Sequence, residues 1–153
     1  LSSMAFDDKL EVVVQRVLKS SVSVDGVVVN EIDKGLNVLV GFTDGDSQKD
    51  IDYIVKKVLN LRIFDDENGV MNKSILDVGG SILAISQFTL YGDASKGNRP
   101  SYFKALGGDE ALPLYDSFCE KLNDFVPTFK GVFGADMKVS IFNDGPVTII
   151  IES

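Results

Sequence analysis

Three segments of this chain carry side chains that could do chemistry. The first, Ser86-Gln87-Phe88-Thr89-Leu90, places two hydroxyls and an amide at the end of a strongly apolar run. Such a segment could form a substrate wall that offers backbone N–H groups and hydroxyl donors. Equally, Ser86 and Thr89 could satisfy backbone groups at the end of a strand. A Ser or Thr nucleophile needs an activating base, and the sequence places neither histidine nor lysine beside these residues.

The second segment, Tyr91 to Lys104, combines glycine, aromatic residues and positive charge. Residues 86–108 contain Lys96, Arg99 and Lys104 against Asp93 alone. Residues 47–62 also carry a local excess of Lys and Arg, although the whole chain has a formal net charge of −8. Either segment could meet a phosphate backbone, or each could simply be a solvated surface.

The third segment, Asn143 to Thr148, contains the pair Gly145-Pro146 between two apolar runs. An X-Pro bond can adopt the cis form, and glycine before proline lets backbone carbonyls approach a ligand closely. Spacing alone does not distinguish this arrangement from an ordinary β-turn.

Several chemistries are excluded by composition. The chain contains 153 residues and no histidine, so Ser-His-Asp triads, Cys-His pairs and the usual zinc sites are not available. We expect no metal and no cofactor. The single cysteine, Cys119, cannot form an internal disulfide, which fits a reducing compartment. It falls on the apolar stripe of a predicted helix, where we expect a small, inert, buried side chain.

The elements that must position these segments follow one another with short turns. Strands are predicted over Glu11–Leu18, Ser21–Val24, Val27–Ile32 and Leu36–Phe42, with Asp25-Gly26 as a hairpin turn. Ser47 and Asp50 resemble a capping box, and the apolar spacing that follows predicts a helix to about Asn60.

The second half adds strands and one more helix. Further strands are predicted over Leu61–Phe64, Ile82–Leu90, Lys138–Asn143 and Val147–Glu152, a turn over residues 66–69, and a helix over Asp109–Phe125. Many strands with two helices predict a mixed α/β domain whose helices pack on one side of the sheet layers. We expect one domain over residues 10–153, preceded by a short extension, residues 1–9, whose first three residues are interpreted as a cloning remnant.

Five motifs, in order, resemble the D-aminoacyl-tRNA deacylase family. They are VVVQRV, LNLRIF with DVGG, SQFTLYGD with KGNRPSY, FGADMKVS, and NDGPVT, and together they run from about Leu10 to Ser153. SQFTL and NDGPVT at this separation are the specific pair. The resemblance implies a homodimer with a three-layer β/β/α fold of two sheets and helices. It also implies hydrolysis of the ester between a D-amino acid and tRNA, removal of glycine from mischarged tRNA, and a cytoplasmic location.

The resemblance also implies roles for individual residues. Ser86, Gln87, Phe88 and Thr89 would form the catalytic pocket wall. Gly145-Pro146, expected in the cis form, would enter the partner subunit's pocket as a chirality filter. The other residues implied in substrate binding are Arg16, which helps to fix the Gly-Pro turn, Thr148 and Met137. Lys96, Arg99 and Lys104 are our candidates for contacts with tRNA phosphates.

Two other functions remain as alternatives. One is a non-catalytic dimeric module that binds a small D-amino acid or nucleotide in the same pocket. The other is a hydrolase of a different ester that uses a Thr or Ser nucleophile. An assay for deacylation of aminoacyl-tRNA distinguishes the binding module from the family activity. Trapping by a serine-reactive phosphonate would identify the hydrolase with a Thr or Ser nucleophile.

Overall fold

The computed structural model describes residues 9–153. Most of the predicted N-terminal extension, including the interpreted cloning remnant, therefore lies outside the described residues. The strands are β1 (Glu11–Val24), β2 (Val27–Ile32), β3 (Gly35–Gly41), β4 (Phe64–Asp65), β5 (Met71–Lys73), β6 (Ser81–Ser86), β7 (Thr128–Lys130) and β8 (Lys138–Glu152). The helices are α1 (Gln48–Asn60), α2 (Ile75–Val78) and α3 (Gly108–Asn123).

Six strands form one curved sheet in which β1 is the central element. Along one edge, β1 pairs antiparallel first with β3 and then with β2, and along its other edge it pairs with β8. The sheet continues from β3 through β6 to β7 by parallel pairing. The Asn30 side chain donates to the Lys130 carbonyl at 2.6 Å, which links β2 to β7, so the sheet is nearly closed into a barrel.

Both faces of β6 are buried, which explains its continuous apolar sequence. Ile82 and Ala84 face a core shared with α1 and α3. Leu83 and Ile85 face a second apolar cluster inside the curved sheet. The core therefore lies partly between sheet and helices and partly within the curve of the sheet.

Local sequence signals were good guides to the hairpin and the first helix. Asp25 and Gly26 have φ values of 50° and 79°, which is the backbone of a type I′ turn. Ser47 and Asp50 form the predicted capping box at the start of α1. The mixed α/β class is confirmed, and Cys119 is buried as expected, with burial raising the pKa of its thiol to about 12.

Several element boundaries were predicted wrongly. The strand predicted over Leu61–Phe64 begins only at Phe64 and ends at Asp65. The strand predicted to reach Leu90 ends at Ser86 and is followed by a 3₁₀ turn over Phe88–Tyr91. The two predicted closing strands form one, β8, because the segment around Gly145 bulges out while β1 pairs on both sides of it.

Three short elements were not predicted, namely β5, α2 and β7. None of the helices within residues 9–153 is long and apolar enough to span a membrane.

Candidate active site

A cavity of about 540 Å³ opens where β6 ends. Its lining includes Ser86, Gln87, Phe88, Thr89 and Met137. The volume falls within the range of small-molecule sites. The structure therefore brings the four predicted pocket residues together with one of the predicted substrate-binding residues.

The 3₁₀ turn after β6 determines how the wall presents its backbone. The Gln87 N–H is bonded to the Val40 carbonyl at 2.8 Å, and the Leu90 N–H to the Gln87 carbonyl at 3.3 Å. Between them, the N–H groups of Phe88 and Thr89 belong to the first residues of a helical turn, which have no carbonyl partner within the turn. These two N–H groups are therefore candidate donors to a ligand.

The Thr89 hydroxyl contacts a hydrogen-bond donor rather than a base. Its hydrogen-bond partner is the Gln87 side-chain amide, which donates at 2.9 Å. An amide N–H cannot accept a proton, so this contact orients Thr89 without activating it. Phe88, 55% exposed, meets the Tyr102 ring edge-on with ring centroids 5.2 Å apart.

Glycine is required where the wall packs on β3. A Cβ at Gly41 would lie 2.8 Å from Cε2 of Tyr91 and 3.1 Å from the Gln87 carbonyl oxygen. The Tyr91 hydroxyl contacts the carbonyls of Lys9 at 2.6 Å and Gly41 at 2.9 Å. These contacts fix the 3₁₀ turn to the end of the sheet.

Sequence reasoning missed most of the other residues that line the cavity. Tyr102, Leu106, Ala111, Phe133 and Ala135 line it as well. Phe133 and Ala135 belong to the FGADMKVS motif, from which only Met137 was selected. The motif was a usable signal for both, whereas Ala111 lies in a helix and had no sequence signal of its own.

A second group of predicted residues gathers around Gly145. The Gly145–Pro146 bond is cis, as expected. In the β1–β8 ladder, Gln15 pairs with Thr148 and Val17 with Asn143. The segment 144–147 therefore bulges opposite Arg16 alone, where it leaves the ladder and is available for contacts outside it.

Arg16 is nearly buried and holds this bulge in place. Its Nε donates to the Asp144 carbonyl at 3.1 Å, and its Nη1 donates to the Ile63 carbonyl at 2.7 Å. Its guanidinium also pairs with the carboxylates of Asp144 at 3.3 Å and Asp65 at 3.7 Å. These contacts fix the backbone immediately before Gly145.

The Gly145 bulge is not part of the 540 Å³ cavity of the same chain. Gly145, Pro146, Thr148 and Arg16 do not contribute to the cavity lining, and the first three are solvent-exposed. A single chain thus carries a pocket at one place and an exposed Gly-Pro turn at another.

The basic residues form a third group beside the pocket. Lys96, Arg99 and Lys104 line a separate cavity of about 310 Å³ together with Asp93 and Phe103. Backbone hydrogen bonds of 2.8 Å in both directions between Asp93 and Ser101 close the base of this loop. The three cations predicted to contact phosphates are therefore brought together.

The family model and a similar protein of known sequence indicate the same family. The family model described as D-Tyr-tRNA(Tyr) deacylase matches residues 13–152. A D-aminoacyl-tRNA deacylase of Clostridium tetani is 59% identical over 145 residues, which cover 94% of this chain and 97% of the relative.

Two solved structures are similar in fold. The structure described as c-Myc DNA Unwinding Element Binding Protein is 44% identical, with a TM-score of 0.89 over 94% of this chain and 98% of that chain. One described as a probable eukaryotic D-amino acid tRNA deacylase superposes with a TM-score of 0.81 at 20% identity, covering 95% of this chain and 100% of that one. The second likeness supports the fold alone.

Proposed function

Because the chain belongs to the D-Tyr-tRNA(Tyr) deacylase family, we propose that it hydrolyses the ester bond between a D-amino acid and tRNA. The products are the free amino acid and free tRNA. The family resemblance read from SQFTL and NDGPVT is confirmed. The observation that carries the proposal is the cavity lined by Ser86–Thr89 in a chain 59% identical to a D-aminoacyl-tRNA deacylase.

The proposed chemistry relies on backbone groups and positioning. An aminoacyl ester is already activated, so alignment and oxyanion stabilisation can supply much of the rate enhancement. The N–H groups of Phe88 and Thr89 stabilise the developing oxyanion. A water molecule, oriented by the ribose 2′-OH, attacks the carbonyl carbon. The ester C–O bond then breaks, and the departing ribose oxygen takes up the proton that the water gives up.

Discrimination between D- and L-amino acids is assigned to Gly145 and Pro146. Their carbonyl oxygens accept hydrogen bonds from the ammonium group of the substrate. They also occupy the space that the side chain of an L-amino acid would require. Glycine has no side chain to exclude, so glycyl-tRNA mischarged on other tRNAs is a substrate as well. The support within this chain is the exposed bulge that Arg16 holds outside the β1–β8 ladder.

The filter reaches the pocket only if two chains associate. Since Gly145 and Pro146 do not line the cavity of their own chain, we place them in the partner's pocket within a homodimer. The two β-layers of the proposed three-layer fold are the two halves of the curved sheet, and α1 and α3 form the third layer. Thr148, beside the turn on β8, and Met137, in the cavity wall, complete the substrate contacts.

Lys96, Arg99 and Lys104 are assigned to tRNA phosphates. They line one cavity adjacent to the proposed pocket, and clustered cations on an acidic protein provide a local site for a polyanion. Because aminoacyl-tRNA is used in the cytoplasm, we infer a cytoplasmic location.

The test is deacylation of D-tyrosyl-tRNA and L-tyrosyl-tRNA, measured side by side at equal enzyme and low salt. We expect release from the D-ester alone. Release from both would contradict the chirality filter. Release from neither would favour the non-catalytic binding module.

Thr89→Ala separates the backbone mechanism from a covalent one. We expect only a small loss of kcat, because the Thr89 hydroxyl contacts a donor rather than a base. Abolished turnover with intact fold and tRNA binding would instead indicate a threonine ester intermediate.

A further inference from the structure

The most exposed large apolar side chain in residues 9–153 lies beside the proposed pocket. Phe103 is 93% exposed. Its neighbour Tyr102 lines the 540 Å³ cavity, whereas Phe103 lines the 310 Å³ basic cavity. The two cavities are therefore adjacent, with consecutive residues lining one and then the other.

Phe103 is exposed on a backbone that is held firmly. The Thr43 hydroxyl donates to the Lys104 carbonyl at 2.5 Å, and the Ala105 N–H donates to the Tyr102 carbonyl at 3.0 Å. The Leu106 N–H also donates to the Phe42 carbonyl at 2.9 Å. Burying a phenyl ring stabilises a protein, so an exposed ring on a firmly held backbone is a feature that a ligand would explain.

The charges around Phe103 indicate the class of ligand. Lys96, Arg99 and Lys104 share its cavity with one carboxylate, that of Asp93. That carboxylate accepts the Ser95 N–H at 2.9 Å, and one carboxylate against three cations leaves an excess of positive charge in the cavity. An exposed aromatic ring beside clustered cations is the combination that binds unpaired nucleotides, since each base has a face to stack and each phosphate is an anion.

We propose that the 310 Å³ cavity binds an unpaired nucleotide of the tRNA 3′ end, next to the nucleotide that carries the ester. Its base stacks on Phe103, and its phosphate lies among Lys96, Arg99 and Lys104. This proposal rests on the proposed function, because the adjacent pocket must hold the esterified terminal nucleotide. It adds a stacking residue and a second nucleotide position to that site.

The experiment compares two substrates that differ only in the second nucleotide position. D-Tyrosyl-tRNA has neighbouring unpaired nucleotides, whereas D-tyrosyl-adenosine ends at the ester-bearing nucleoside. For Phe103→Ala we expect KM to rise about tenfold on the tRNA ester, which is the size of one lost base–aromatic stack. On D-tyrosyl-adenosine we expect no change in KM, and on both substrates little change in kcat.

Two further variants make the comparison specific. Phe103→Trp keeps an aromatic face and should retain the wild-type KM on tRNA. Phe125→Ala removes another exposed phenyl ring, 66% exposed and lining a different cavity, and should leave both KM values unchanged.

Unchanged KM on the tRNA ester, or an equal rise on both substrates, would overturn the proposal. The proposal would also be overturned if Phe103→Ala sedimented as a smaller species than the wild type, since Phe103 would then contact another protein chain.

If the wild-type protein cleaves neither ester, the proposed function fails. The nucleotide site is then tested by the affinity for an RNA oligonucleotide that has the tRNA 3′ sequence and carries no amino acid. Weaker binding by Phe103→Ala than by the wild type supports the site, and equal binding overturns it.

Discussion

Single residues in this chain act mainly through the backbone that they hold. Gln87 orients Thr89, Arg16 fixes the carbonyls of Asp144 and Ile63, and Gly41 makes room for Tyr91. In a protein without histidine, this arrangement suits a reaction that needs alignment and N–H donors more than a strong base.

Asp46 gives a pH prediction at the residue scale. Its carboxylate accepts the N–H groups of Leu10 at 3.0 Å and Thr43 at 2.8 Å. Burial, with a smaller contribution from Asp50, raises its pKa from 3.8 to about 6. A carboxyl group with a raised folded-state pKa contributes stability that is complete below the unfolded pKa and is lost as pH rises through the folded pKa.

We therefore expect the thermal midpoint of the wild type, relative to Asp46→Asn, to fall as pH rises from about 4 to about 7. The variant cannot ionise at this position, so its own curve omits this contribution. Thermal unfolding of both proteins at several pH values measures the difference. A difference that is constant or grows with pH would contradict the raised pKa.

At the scale of elements, the proposed chirality filter depends on an irregularity in the ladder between β1 and β8. The bulge at residues 144–147 takes Gly145 and Pro146 out of the sheet, and Arg16 ties it to the segment before β4. Gly145 has φ of +122°, and a Cβ there would lie 2.9 Å from Val147 Cγ2 and 3.0 Å from Arg16 Nη2.

Gly145→Ala should therefore displace the bulge, and we expect it to lower kcat/KM far more than Thr89→Ala does. Gly69→Ala is the matched control, because Gly69 also has a positive φ, +76°, but open space around its Cβ position. The control should lose stability through its own backbone strain and keep its activity. Steady-state kinetics with thermal unfolding on the three variants tests this, and equal activity of Gly145→Ala and the control would refute it.

At the scale of the whole molecule, β8 is the feature that a second copy would cover. It is 15 residues long, and among the described strands it pairs only with β1. Its side chains Phe142 and Ile150 are each 63% exposed. A long apolar edge strand of this kind invites association, which agrees with a Gly-Pro turn that lies outside its own chain's pocket.

We expect the protein to sediment as a dimer of its 16.6 kDa chain. Phe142→Asp should yield a monomer with little activity, because each pocket would then lack the partner's turn. Phe125→Asp places the same charge at a similarly exposed phenyl, 66% exposed, on α3's side of the molecule, and should remain dimeric. A wild-type monomer, or an active monomeric Phe142→Asp variant, would contradict the homodimer.

The sequence by itself determined the features whose cause lies within a few residues. The Asp25-Gly26 turn needs two positive φ values, the start of α1 needs Ser47 and Asp50, and the pocket wall and the Gly-Pro turn are contiguous motifs. Family membership followed from those motifs.

Tertiary structure decided the features whose cause lies far along the chain. β7 is three residues long and is a strand because β6, more than 40 positions earlier, pairs with it. β8 continues across Gly145 because β1 supplies partners on both sides of the bulge. The separation of the Gly145 turn from the cavity at Ser86–Thr89 likewise depends on the positions of β8 and β6 in the curved sheet. No local pattern encodes that distance, because it depends on the pairing of the whole sheet.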